Sequence, residues 1–414
     1  MSRVLMTIVK TFAYGSNRMM LQYASALKEA GHDVTIAYEQ PPLPKTAGNE
    51  SILPSIERAG IPTLHVPSLS RSAIVPGGGT LAKVVDQQQF DVLISNQLRD
   101  AAATMTVAKA RRLPGVAFVQ GMPYFQGAGP IRAAKRLVYG RAMRNNATRC
   151  ICVSPAVQTC LIEDFKVDPE KCVVVPNGID LSTFSMPDGT ELSSVRSEFR
   201  VRDEEFLLLT IGRFDRVKGL DILIRAIHQA VSKHDLRIRV LIAAQANSKQ
   251  THAYREHLES IVRDHQLTNS VSFIGYRNDC HRLLQGSDGF VLPSRSEGFP
   301  LSVLEAFAAE CPVIMTDFAK RIPGFRDREH GLSVLVENVE DLANAVIEMA
   351  SLSQAQRREL AANGRAYLDR HPTLEESSHA FVREIESLIE NPVDPHHNRT
   401  RVVAQAVADS RSAF

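Results

Sequence analysis

The chain has 414 residues, 44% of them hydrophobic and 23% charged, with a net charge of +2. That is the composition of a soluble globular protein with room for two or three domains and a sizeable core. No apolar run approaches the roughly 18–20 residues of a membrane span, and the six cysteines form no CxxC, which points to a reduced, cytoplasmic compartment rather than a disulfide framework or a zinc site.

Residues 4–9 read as an apolar first strand, not a signal peptide, because no small-residue cleavage site follows them. Residues 17–30 carry Met20, Tyr23, Ala24 and Leu27 at helical spacing, and Gly31 is a natural stop. A strand follows at 32–37, with further short strands at 91–94, 115–119 and 150–153 and helical patterns between them. The Pro-rich run 40–45 and Pro76-Gly77-Gly78-Gly79 read as surface loops; no strand leads tightly into the glycines, so they are not expected to cradle a phosphate. Between Ala101 and Ile162 there is no Asp or Glu, yet Lys109, Arg111, Arg112, Arg132, Lys135, Arg136, Arg141, Arg144 and Arg149 all occur. Such a stretch is either a solvated helical face or a surface attracted to anionic lipid headgroups or an anionic substrate, so a peripheral position at the inner face of a membrane is an expectation. Only Tyr124, Phe125 and Tyr139 stand nearby for base stacking and no recognition motif occurs, so nucleic acid is not expected as a partner.

Val173-Val174-Val175-Pro176-Asn177-Gly178-Ile179-Asp180 closes a strand and turns at Asn-Gly, which sets a domain boundary near 176–180. A second alternating series starts at 206–211 and continues with strands near 238–243, 271–274, 289–292, 313–315 and 333–336. Residues 374–390 form a long helix with Phe381, Ile385 and Leu388 on one face, and the tail after Pro392 has little periodicity. Strands alternating with helices throughout predict an α/β protein whose parallel sheets are covered on both faces.

The chemistry-bearing residues fall at loops between strand and helix. Gly212-Arg213-Phe214-Asp215-Arg216-Val217-Lys218-Gly219 joins the strand 207–211 to a helix starting at Leu220, which puts Arg213 and Lys218 at the carboxyl edge of a sheet. A guanidinium fork and an ammonium point charge there suit a diphosphate. Ser296-Glu297-Gly298-Phe299-Pro300-Leu301-Ser302-Val303-Leu304-Glu305-Ala306 runs from loop into helix, with Pro300 in the first turn and Leu301, Leu304 and Ala308 on the buried face. Glu297 stays in the loop, and Glu305 tilts back toward whatever the helix N-terminus holds. Two acids near one helix start are commonly solvated side chains stabilised by the dipole; together with Arg213 and Lys218 they read as a site for a ligand bearing both hydroxyls and negative charge.

These segments resemble the retaining glycosyltransferases of family 4, with the GT-B fold. The resemblance is dense from Val173 to Val336, through PNGID at 176–180, GRFDRVKGLDILIRA from Gly212, FIGYRND at 273–279 and PSRSEGFPLSVLEAFA at 293–308. Over the N-terminal half it rests on Gly15, the Gly31-His32-Asp33-Val34 turn, Asp91-Val92 and Cys152-Val153-Ser154. It implies two Rossmann-like domains facing across a cleft, at 1–176 and 177–373, with a C-terminal helix that returns to the first and a tail at 374–414. The first domain would bind a glycan or lipid-linked acceptor and the second a nucleoside diphosphate sugar. Arg213, Lys218 and Glu297 would act at the reacting centre, and Gly15, Gly212, Arg277, Asp279, Gly298, Phe299, Pro300, Leu301, Ser302 and Glu305 would hold the donor. Glu305 would bond the ribose hydroxyls. Asp279 suits a guanine base, although the same loop suits uracil through backbone groups. No DxD-like pair occupies a suitable loop, so neither metal nor cofactor is expected.

The chain departs from the family pattern in places. Gln120-Gly121-Met122-Pro123 stands where a His is common; Gln120, the acceptor-side candidate, bonds a sugar hydroxyl but relays no proton near neutral pH. Tyr14-Gly15-Ser16-Asn17 replaces a paired-glycine loop, and Ala243-Ala244-Gln245-Ala246-Asn247 a Gly-rich turn. Glu310 stands at a helix end where Gly is usual, so the cap differs or carries strain. Two other functions use the same contacts: sugar-nucleotide epimerisation, and a non-catalytic subunit that binds donor.

Overall fold

The structure, a computed structural model, describes residues 1–41, 51–73, 79–123, 129–184, 192–234, 236–317 and 322–390. The loops at 40–45 and 76–79, Tyr124 and Phe125, and the tail after Pro392 lie wholly or partly outside them. Strands Arg3–Lys10 (β1), Asp33–Gln40 (β2), Thr63–His65 (β3), Val92–Ser95 (β4), Gly115–Val119 (β5), Arg149–Cys152 (β6) and Cys172–Val174 (β7) form one sheet in the order β3-β2-β1-β4-β5-β6-β7. Strands Phe206–Arg213 (β8), Ile238–Gln245 (β9), Val271–Phe273 (β10), Gly289–Leu292 (β11), Val313–Thr316 (β12) and Leu332–Val334 (β13) form a second, ordered β10-β9-β8-β11-β12-β13. Every strand pairing is parallel.

Both sheets are covered by helices, which is why their strands read as near-continuous apolar runs: Val4, Leu5, Met6 and Ile8 in β1 are all 0% exposed. In each sheet the order reverses beside the first strand, between β1 and β4 and between β8 and β11. A crevice opens at the carboxyl ends of such strands, where open α/β sheets bind ligands. The strand β3 was not expected. It is a three-residue edge strand on which only Leu64 packs partly on the core, so alternation gave it no signal.

The chain crosses from the second domain back to the first through a tight clamp. Ile179 pairs with Thr373, His371 Nε2 bonds the Asn177 carbonyl oxygen at 2.8 Å, and Ser377 Oγ donates to the Pro176 carbonyl at 2.8 Å. A side chain at Gly178 would overlap the Thr373 carbonyl, so only glycine fits. Beyond the clamp the helix Leu374–Glu390 lies on the helix Gly15–Glu29, where Phe381 stacks on Tyr23 at 4.5 Å and meets Phe118 edge-on at 5.3 Å.

The helix Leu301–Ala308 carries the second domain's site and differs in detail from its sequence reading. Pro300 is the residue before the first helical one, with ψ 92°. The buried face is Val303, Leu304, Ala306, Phe307 and Ala308, while Leu301 is half-exposed and its Cδ1 points at Gly15 across the cleft. At the other end Cys311 N–H donates to Ala306 O at 2.9 Å and Glu310 N–H to Phe307 O at 3.1 Å. The glycine-type cap is therefore kept with a glutamate at φ 51°, a left-handed conformation that costs a non-glycine residue about 1 kcal/mol.

Candidate active site

Two loops of the second domain meet at its switch point. The last residues of β8 are Gly212 and Arg213, and a 3-10 turn, Arg216–Lys218, follows at once. Asp215 Oδ1 caps that turn by accepting from Val217 N–H at 3.1 Å, which fixes where Lys218 emerges. Gly212 runs beside the Lys218 side chain, with room for no more than ordinary contact. The Lys218 ammonium donates to Glu297 Oε1 at 2.6 Å, and the Ser294 hydroxyl donates to the same oxygen at 2.6 Å. Their side chains are 18% and 13% exposed, so this ion pair borders the cleft and is not a surface contact.

The wall opposite comes from the first turn of the helix Gly15–Glu29, which meets Arg213 and Glu305. The Arg213 guanidinium lies over the Tyr14 ring at 5.1 Å. Burial pushes the Tyr14 phenol up to about 12, while Arg213 pulls it the other way. Arg18 donates to the Tyr276 hydroxyl at 2.8 Å and its charge reaches Glu305. Glu305 is half-buried in the helix Leu301–Ala308, and that burial raises its carboxyl pKa against the pull of Arg18. Arg213 and Lys218 thus sit with Glu297 and Glu305 around one crevice, with Tyr14, Gly15 and Arg18 facing them.

Sequence reasoning missed several charges here. Burial, then Arg99 and Arg213, lowers the pKa of Lys10 at the end of β1, so cations of both domains crowd this edge. Lys10 and Arg18 gave no motif; their positions at the end of the first strand and in the helix that follows were the only signal.

The interdomain seam runs beside Glu297. Ser154 Oγ donates to the Gly298 carbonyl at 2.8 Å, and a Cβ on Gly298 would overlap Gly121 Cα. Phe299 stacks on His371 at 5.3 Å with the ring planes 10° apart, tying this loop to the clamp. Ser302 is half-exposed in the first turn of its helix. Gln120, following β5, abuts Gly298 through its carbonyl, and its amide reaches back to Ser16 O at 2.8 Å.

Arg277 and Asp279 engage each other. They form a bidentate pair at 2.8 and 2.7 Å, Arg282 also donates to Asp279 at 2.7 Å, and Glu198 accepts from Arg277 at 2.8 Å. Arg277, with Arg282, holds the Asp279 carboxyl well below the usual range, and both carboxylate oxygens help to fix the loop. Tyr276 of the same loop instead faces the cleft through Arg18.

The basic stretch divides. Lys109, Arg111, Arg144 and Arg149 bond the fold itself. Arg132, Lys135 and Arg136 lie in the helix Gly129–Asn145 on an exposed end that also carries Ile131 at 63% and Leu137 at 66% exposure, although Arg136 also donates to the Asp164 carbonyl at 3.2 Å and covers the Phe165 ring. No helix of the described residues is long and apolar enough to cross a membrane.

Two family models match, Glycosyltransferase Family 4 over residues 13–183 and Glycosyl transferases group 1 over 194–367. The UDP-Gal:alpha-D-GlcNAc-diphosphoundecaprenol alpha-1,3-galactosyltransferase of Escherichia coli is 22% identical over 65% of this chain and 69% of its own length. The N-acetylgalactosamine-N,N'-diacetylbacillosaminyl-diphospho-undecaprenol 4-alpha-N-acetylgalactosaminyltransferase of Campylobacter jejuni is 25% identical over 50% of this chain and 53% of its own. The chain thus spans between half and two thirds or so of these curated relatives. HepE of Anabaena, solved in complex with UDP-glucose, superposes with a TM-score of 0.79 at 17% identity, covering 94% of this chain and all of HepE; that likeness is one of fold.

Proposed function

We propose that this chain, which belongs to the family 4 type of glycosyltransferases and has their GT-B fold, is a retaining, metal-independent enzyme that transfers a hexose-type sugar. The donor is a nucleoside diphosphate sugar and the acceptor a glycan or lipid-linked saccharide of cell-surface polysaccharide or glycolipid synthesis. The observation that carries the reading is the Lys218–Glu297 pair, 2.6 Å apart, at the crevice that Arg213 and Glu305 also border. Breaking the anomeric C–O bond puts negative charge on the departing β-phosphate. Arg213, Lys218 and the N-terminus of the helix Leu301–Ala308 stabilise charge where it develops, which lowers the barrier and does more than tighten binding. Fixed cations of this kind do the work a metal does in other transferases.

Glu297 Oε1 is already bonded by Lys218 and Ser294, which favours a positioning carboxylate over an attacking one. Retention then follows from attack on the face the phosphate leaves. Glu305 suits ribose hydroxyls, accepting from them as a carboxylate on the second turn of the helix Leu301–Ala308. The E. coli and C. jejuni relatives, both named for undecaprenol-linked acceptors and alpha linkages, support the lipid-linked class. The exposed end of the helix Gly129–Asn145, with Ile131 and Leu137 among Arg132, Lys135 and Arg136, fits a cytoplasmic enzyme resting on an anionic membrane face. Flotation with anionic vesicles tests that surface; binding that is absent, or indifferent to salt, would refute it.

The catalytic reading is tested by incubating the protein with uridine, guanosine and adenosine diphosphate sugars, with and without lipid-linked saccharide acceptors. Transfer that releases nucleoside diphosphate is the expected result. An isomerised donor formed without any acceptor would identify an epimerase instead, and no turnover across the panel a binding subunit.

A further inference from the structure

A chain of side-chain amides lies along the carboxyl edge of the first sheet. It begins at Asn17, whose Nδ2 donates to Lys10 O at 2.8 Å and to Phe12 O at 2.7 Å. Both N–H groups of that amide rest on main-chain carbonyls, so turning it over would set oxygen against oxygen. Asn17 Oδ1 therefore faces the other way, accepting from Asn96 Nδ2 at 2.9 Å and Gln97 Nε2 at 3.0 Å. Asn96 in turn offers its Oδ1 to Gln120, whose Nε2 donates to it and, at 2.8 Å, to the Ser16 carbonyl. Asn17 and Asn96 are 0% exposed. Asp100 pins the Asn96 main chain, accepting its N–H at 2.9 Å.

The direction of every bond in this chain is set by carbonyls that cannot reverse: those of Lys10 and Phe12 at one end and of Ser16 at the other. Gln120 has two N–H groups, and both are engaged. It is half-buried and its main chain stands against Gly298 of the donor-side loop; among the described residues its Oε1 accepts no hydrogen bond.

We propose that Gln120 Oε1 is a fixed hydrogen-bond acceptor that positions a sugar hydroxyl in the cleft, and that Asn17 and Asn96 are positioning residues that hold its polarity. This deepens the glycosyltransferase reading and rests on it. The group bound there must be an O–H or N–H donor. A carbonyl, carboxylate or phosphate oxygen would meet lone pairs and leave a desolvated acceptor unpaired. An imidazole at this point could exchange a proton with its ligand, whereas the anchored amide orients the hydroxyl and leaves the proton in place.

Two measurements on the full chain test the proposal. In the first, protein selectively labelled at glutamine is followed by NMR, with the Gln120 side-chain amide assigned by its loss in Gln120→Met. Both Nε2 protons are expected to exchange with solvent at least ~10-fold more slowly than those of an exposed glutamine; exchange at the exposed rate would overturn the amide chain, whatever the enzyme does. In the second, transfer and donor binding are compared in wild type, Gln120→Met and Gln120→Glu, using the nucleoside diphosphate sugar that wild type turns over. Gln120→Met is expected to lose on the order of 10-fold or more in kcat/KM while the free nucleoside diphosphate binds as before. Weaker binding of the sugar nucleotide as well assigns the hydroxyl to the donor sugar, and loss confined to transfer assigns it to the acceptor. Gln120→Glu is expected to recover activity as the pH falls and its carboxyl gains a proton to donate to Ser16 O or Asn96 Oδ1. Wild-type kinetics in Gln120→Met, or a pH profile of Gln120→Glu parallel to wild type, would overturn it. If wild type turns over no sugar nucleotide, the enzyme reading fails, and the exchange measurement still decides the amide chain.

Discussion

Lys218 Nζ lies 2.6 Å from Glu297 Oε1, an oxygen that the Ser294 hydroxyl also bonds at 2.6 Å. The cation proposed to meet the diphosphate and the carboxylate proposed to lie near the sugar are thus one unit, held between two loops that lie 79 residues apart in sequence. Removing either partner changes the other's charge environment in a partly buried place.

That coupling has a kinetic consequence. Lys218→Ala removes a cation proposed to meet the leaving phosphate and is expected to lower kcat by on the order of 10²-fold or more. Because Glu297 is then left with Ser294 alone, the double variant Lys218→Ala/Glu297→Ala should lose less than the product of the two single losses. Strictly multiplicative effects in kcat/KM would show that the pair does not act as a unit.

A second expectation concerns the seam between the domains. Gly298→Ala puts a methyl group where Gly121 Cα already sits, so the loop and the first domain must move apart and the Ser154–Gly298 bond at 2.8 Å lengthens. A displacement of about 1 Å at a reacting centre costs on the order of 10²-fold in rate. Turnover by Gly298→Ala is therefore expected to collapse while nucleoside diphosphate binding changes little. Turnover equal to wild type would mean that the seam does not set the reacting geometry.

Much of this was readable in the chain. Apolar runs bounded by turn residues located the main strands because parallel strands buried on both faces carry little else. The strand-loop-helix segments holding Arg213, Lys218, Glu297 and Glu305 were readable because each puts charged residues directly after an apolar run. The amide chain was not: Asn17, Asn96 and Gln120 belong to three segments that meet only once β1, β4 and β5 are side by side. The one local signal was Ser95-Asn96-Gln97, uncharged polar residues closing a strand that is otherwise fully apolar. The ion-pair cluster around Asp279 was not legible either, since Arg282 and Glu198, which join it through Arg277, share no motif with it.

Asp100 gives the fold a pH dependence whose sign is fixed. Burial pushes its carboxyl up to about 7, against the donors Thr7 Oγ1 at 2.7 Å and the N–H groups of Asn96 and Gln97. A carboxyl whose folded pKa exceeds its unfolded value of about 3.9 holds its proton more tightly when folded. Its stabilising contribution is thus complete below about pH 4 and disappears as the pH rises through about 7. The loss of thermal midpoint between pH 5 and pH 8 is expected to be smaller in Asp100→Asn than in wild type. Equal slopes would show that Asp100 does not titrate in that window.

The central claim is that Arg213, Lys218, Glu297 and Glu305 hold one diphosphate and ribose between them. Calorimetric titration of wild type, Arg213→Ala and Glu305→Ala with the tightest binder among uridine, guanosine and adenosine diphosphates tests it most directly. Each substitution is expected to weaken binding by about 10-fold or more, as for a lost charge-assisted hydrogen bond. Wild-type affinity in both variants would contradict the claim.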